Sequence, residues 1–138
     1  NIIIPEFLYL GDAKTARWFP HLLSNKITHV INLSGGSNYW ETEEKILKYL
    51  KINITDDPSS NISKHFHECI DFIENAKSTN GRVYVHCLAG ISRSTSIVIA
   101  YLMNSQKIHY NQAFNLVKEK RPNVKPNQGF VEQLRKFE

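Results

Sequence analysis

From Arg82 to Met103 the sequence reads as a strand, a short loop and a helix without a polar side. Arg82 to His86 (R-V-Y-V-H) carries the β-branched and aromatic residues of a core strand. Beyond the loop, Ile97, Val98, Ile99, Ala100, Tyr101 and Leu102 follow one another unbroken, so no rotation of a helix there offers water a polar face. Such a helix is stable only when surrounded, which demands a sheet and further helices around it. The rest of the chain supplies both. Strand-like runs occur at Phe7 to Leu10, Thr28 to Asn32 and Tyr49 to Ile54. Helical spacing links Ile62, Phe66, Cys69, Ile70 and Ile73, then Ala113, Leu116 and Val117, and finally Phe130, Leu134 and Phe137. Strands early and interspersed, then three helices in a row, predict an α/β fold with a small sheet covered by helices. With 138 residues and no repeat or Pro/Gly/Ser-rich linker, residues 1–138 are expected to form a single domain.

The loop between strand and buried helix carries the chemistry. Leu88, Ala89, Gly90, Ile91 and Ser92 lead into a helix N-terminus, where unpaired backbone N–H groups and the positive end of the macrodipole attract anions. A tetrahedral phosphate fits that need. Cys87, at the foot of the loop, would feel the helix N-terminus and the Arg93 charge, and both fields favour thiolate over thiol. Arg93 stands six residues on, where a loop wrapped around a phosphate brings its planar fork back for bidentate contact. Gly90 lets the mid-loop backbone turn and approach a ligand without a Cβ. Ser94 offers a hydroxyl that can donate to the thiolate, and His86 is placed to order the loop.

The string His86 to Ser94, H-C-L-A-G-I-S-R-S after a strand, resembles the signature of cysteine-dependent protein tyrosine phosphatases, in its dual-specificity branch. Leu8-Tyr9-Leu10-Gly11, Thr28 to Leu33, Arg121-Pro122, and Pro126-Asn127 followed by Gly129-Phe130 and Gln133-Leu134 resemble that branch too, so the likeness covers effectively the whole chain. It implies a small central mixed β-sheet flanked by helices, and hydrolysis of phosphotyrosine and phosphoserine or phosphothreonine on proteins through a phosphocysteine, with no cofactor and no metal. It also implies a general acid seven residues before the Ser of an N-x-S motif; Asn61-Ile62-Ser63 selects Asp56, with the neighbouring Asp57 a possible substitute before Pro58. Asn127 would brace the phosphate loop, although capping the last helix accounts for it equally well. The loop interior has no Lys of the kind that holds extra phosphates in relatives acting on inositol phospholipids, which favours a phosphoprotein substrate.

Other signals carry less. Residues 1 to 103 balance ten Lys/Arg against ten Asp/Glu, while residues 104 to 138 hold seven against three, so the net charge of +4 is C-terminal. A solvated basic face is the ordinary meaning of such an excess, and no nucleic acid partner is expected. His65, His67 and Cys69 suggest a metal site, but His67 falls off the shared helical face and no fourth ligand is spaced for one. Cys69 fits the core stripe. Tyr39 and Trp40 could rim the substrate mouth or join the core. Two cysteines without a disulfide framework indicate a reducing compartment, cytoplasmic and secondarily nuclear, and no run is apolar enough to span a bilayer. Rival functions are a phosphoprotein-binding module without turnover, a rhodanese-like sulfurtransferase, and a phosphatase acting on a non-protein phosphate such as that of a membrane lipid or RNA, which only the basic C-terminal third supports; the sequence leaves oligomeric state open.

Overall fold

The computed structural model describes residues 1–38 and 47–137; Tyr39 and Trp40 lie outside the described residues. Five strands form one mixed sheet: β1 (Ile2–Ile4), β2 (Leu8–Gly11), β3 (His29–Asn32), β4 (Lys48–Lys51) and β5 (Val83–His86), in the order β1-β2-β5-β3-β4. β2, β5, β3 and β4 run parallel, and β1 adds an antiparallel edge. The helices are α1 (Ala13–Ala16), α2 (Phe19–Ser24), α3 (Phe66–Ser78), α4 (Arg93–Gln106), α5 (Tyr110–Lys120) and α6 (Gln128–Lys136), with a 3-10 turn at Ser63–His65 ahead of α3. The expected α/β class and helix-covered mixed sheet are what the chain forms.

Alternation along the strands divides the side chains between two cores. Leu8, Leu10, Ile31, Val83 and Val85 face a large cluster built with α3 to α6, whereas Tyr9, Val30 and Tyr84 face a smaller one with Ala16, Leu22 and Ile27. Within the large cluster α4 is buried from Ser94 through Met103, as its unbroken apolar run demands. Its three buried serine and threonine hydroxyls point back to the preceding loop: Ser94 Oγ lies 3.1 Å from Cys87 Sγ, Thr95 Oγ1 is 3.5 Å from the Gly90 carbonyl, and Ser96 Oγ donates to the Ser92 carbonyl at 2.8 Å.

The differences from expectation have local causes. β1, α1 and α2 are too short, at 3, 4 and 6 residues, to show a period in sequence. The third expected strand starts at Lys48 and stops at Lys51 rather than reaching Ile54, because the chain leaves the sheet there and Ile54 turns its carbonyl to the Arg93 side chain. That departure brings residues 55 to 60 to the carboxyl ends of the parallel strands, the edge at which open α/β sheets place their ligands.

Candidate active site

β5 occupies the middle of the sheet, paired on both sides, and delivers Cys87 at its carboxyl end. From His86 to Ser92 every backbone carbonyl is engaged from outside the loop or at its flank. Leu33 N–H donates to His86 O, His86 Nδ1 to Cys87 O, Ala13 N–H to Leu88 O, Arg121 Nη2 to Ala89 O, Arg121 Nε to Gly90 O, Lys125 N–H to Ile91 O and Ser96 N–H to Ser92 O, at 2.8 to 3.3 Å. Among the described residues no N–H of residues 88 to 92 donates to a protein acceptor. A loop whose carbonyls are all held outward keeps its N–H groups for an anion in its concavity, at the N-terminus of a 14-residue helix.

Cys87 sits on the floor of this loop with 3% of its surface exposed, while Leu88, on the rim, is 67% exposed. The sulfur is therefore reached only through the loop mouth, less openly than a surface thiolate. Arg93 completes the ring: its Nη1 donates to Ile54 O at 3.1 Å, and its Nε is the one buried side-chain polar atom among the described residues that has no partner. A buried donor left so costs about 1–3 kcal/mol unless a ligand accepts from it. Gly90 has φ +71°, and a Cβ there would stand 2.5 Å from Gly11 O and 2.8 Å from Arg121 Nη2. Gly90→Ala should therefore cost about 1–2 kcal/mol for the left-handed backbone and a similar amount for the clash, read as a lowered urea midpoint.

His86 is 1% exposed, stacked on Tyr84 at 5.7 Å, and burial pushes its pKa down to about 4. The neutral ring must carry its proton on Nδ1, since the Cys87 carbonyl can only accept. Between pH 6.5 and 4 the unfolded ring takes up a proton that the folded one refuses, so its contribution is complete above that window and falls as pH drops through it. Burial moves His29 in the same direction. From pH 7 to pH 5 His86 alone should cost about 2 kcal/mol. Urea unfolding at the two pH values should show a smaller gap for His86→Gln than for wild type; an equal gap would contradict the assignment.

The loop carrying Asp56 and Asp57 separates the two carboxylates. Asp57 is bound into its own turn: Oδ1 accepts from Ser59 N–H and Oγ, Oδ2 from Thr55 Oγ1 at 2.7 Å, and these bonds hold its pKa down to about 2. Asp56 is exposed and, among the described residues, takes a single bond, from Asn127 Nδ2 at 2.9 Å. Asn127 does three things at once. Its Oδ1 caps α6 by accepting from Phe130 N–H, its Nδ2 holds Asp56, and its own N–H donates to Ser92 Oγ of the phosphate loop, each at 2.9 Å. The cap and the brace, alternatives in sequence, are both present.

The model of the dual specificity phosphatase catalytic domain matches residues 8–138. The chain belongs to this family. It is 43% identical over 136 residues to a "Probable rhodanese domain-containing dual specificity protein phosphatase" of Dictyostelium discoideum, with 99% of this chain covered and 28% of that protein. It is 42% identical over 137 residues to mouse "Dual specificity protein phosphatase 19", covering 99% of this chain and 61% of the relative. The chain thus spans less than two thirds of these relatives. The crystal structure of DUSP15 superposes with a TM-score of 0.92 at 38% identity, covering 99% of this chain and 85% of that one. Dual specificity phosphatases are protein phosphatases, and the sulfurtransferase alternative falls with that assignment.

Three residues of this site had no role assigned from sequence. Arg121 grips two loop carbonyls from outside, across 31 and 32 residues of chain. Gln133 on α6 donates to Ser60 O and accepts from Ser63 N–H, both at 2.9 Å, and so ties the Asp56 loop to the last helix. Gly129 lets α6 touch that loop, since a Cβ there would lie 2.0 Å from Pro58 O. Arg121, Gly129 and Gln133 stand in the motifs that carry the family resemblance, which was the available signal. The H-F-H-E-C cluster resolves otherwise: Cys69 is wholly buried in the core with its thiol pushed up to about 12, and His65 pairs with Glu68 at 3.9 Å.

Proposed function

We propose that this chain hydrolyses phosphotyrosine and phosphoserine or phosphothreonine on proteins, using Cys87 as nucleophile, Arg93 and the N–H groups of residues 88–92 as phosphate ligands, and Asp56 as acid and then base. The outward-held carbonyls of residues 86–92 support the phosphate-binding reading above any other observation. Cys87 attacks phosphorus and the bond to the leaving oxygen breaks as Asp56 protonates it, leaving an S–P bond. Asp56, now ionised, takes a proton from water; the water oxygen attacks phosphorus and the thiolate departs, stabilised by the Ser94 hydroxyl 3.1 Å away. His86 orders the loop, and Asn127 keeps acid and loop in register. No step calls on a metal or cofactor.

Leu88 stands out at the rim of the loop, and the shallow pocket that the resemblance to the dual-specificity branch implies suits both short and aromatic phosphorylated side chains. Two cysteines that remain free thiols accord with a reducing compartment, cytoplasmic or nuclear. The test is hydrolysis of phosphotyrosyl and phosphothreonyl peptides in EDTA. Turnover of both is the expected result. A protein that bound the peptides without releasing phosphate would instead be a phosphoprotein-binding module.

A further inference from the structure

Two of the seven Lys/Arg of residues 104–138 come together in one place. At the end of α4 remote from the phosphate loop, the structure gathers Lys107, Lys136 and His67 around a hollow of about 590 Å³ whose floor is Met103, Ile108 and Phe137. These come from four stretches of chain: the start of α3, the end of α4, the turn after it, and the end of α6. Phe137 is fixed edge-on against Phe66 at 5.0 Å and His67 at 5.7 Å, so the floor is formed in advance. None of the described lining residues is acidic, and no described carboxylate pairs with Lys107 or Lys136. α4 has 14 residues, which at 1.5 Å each places this hollow about 20 Å from the catalytic loop.

We propose that this hollow is a docking site for an acidic segment of a partner protein that inserts one large apolar side chain. An apolar floor of this volume accepts a Phe- or Leu-sized group, and two exposed lysines, paired with no described carboxylate, complement carboxylates on either side of it. A concave apolar floor distinguishes it from the flat basic face that a nucleic acid backbone or an anionic bilayer would meet. Because the site is separate from the phosphate loop, its occupant needs no phosphate.

The probe is a fluorescein-labelled peptide, Glu-Asp-Glu-Phe-Glu-Asp-Glu, followed by fluorescence anisotropy. Saturable binding is expected, weakened at least about tenfold by Lys107→Glu with Lys136→Glu, and equally by replacing the peptide Phe with Ser. Aryl phosphate hydrolysis by the double variant should be unchanged, since neither lysine touches the catalytic loop. Should charge reversal impair turnover, the milder pair Lys107→Gln with Lys136→Gln decides by the same criterion. Saturating orthovanadate should leave the peptide bound. The proposal is overturned if the peptide does not bind, if vanadate displaces it, if the variants bind it as wild type does, or if phosphatidylserine vesicles bind through these lysines while the peptide does not.

Discussion

Cys87→Ser should abolish hydrolysis of a small aryl phosphate, lowering kcat by at least about 10⁴-fold while phosphate binding persists. The replacement keeps size and shape, and Cys87 is nearly enclosed, so the fold should tolerate it. What is lost is the nucleophile: a serine hydroxyl does not ionise near neutral pH, and no described group beside it is placed as its base. The only other described side-chain atom bonded to Sγ is Ser94 Oγ, and His86 is occupied with a backbone carbonyl. Substantial turnover by Cys87→Ser would mean that the chemistry lies elsewhere.

Asp56→Asn should reduce turnover by about 10²–10⁴-fold, the range contributed by a positioned general acid. The loss should be largest for poor leaving groups such as a serine or threonine alkoxide, and smallest for a nitrophenolate that departs without a proton. Asp57→Asn should behave differently. Its carboxylate is held ionised by Ser59 and Thr55, with a pKa of about 2, so near neutral pH it has no proton to donate. Losing it should loosen the turn and reduce activity only modestly, without dependence on the leaving group. Initial rates on aryl phosphates of graded leaving-group acidity separate the two carboxylates; equal sensitivity in both variants would contradict the assignment.

The residues legible in sequence were those whose chemistry is local. An unbroken apolar helix must be buried, and a strand followed by Cys87, Gly90 and Arg93 needs only short-range geometry to imply an anion loop. The order of strands was not written in any local pattern, nor were β1, α1 and α2, which are held by pairing and packing rather than by periodicity. Distance along the chain hid the supports. Arg121 reaches the loop from the end of α5, and Gln133 and Gly129 reach the Asp56 loop from α6 over about 70 residues. Each is a single polar or small residue whose role appears only when the chain is closed up. Asp56 and Asp57 were adjacent in sequence and distinguishable there only through resemblance; the turn bonds that immobilise Asp57 now give a physical reason to separate them.

The central claim is a covalent phosphocysteine at Cys87. Rapid acid quench of Asp56→Asn with an activated aryl phosphate, followed by intact-mass and peptide mass spectrometry, tests it directly, because the variant still forms the intermediate from a good leaving group but lacks the base that hydrolyses it. The expected result is one added phosphoryl group, located on Cys87 and absent from the Asp56→Asn protein that also carries Cys87→Ser. Phosphate release with no adduct on any cysteine, or an adduct on Cys69, would contradict it.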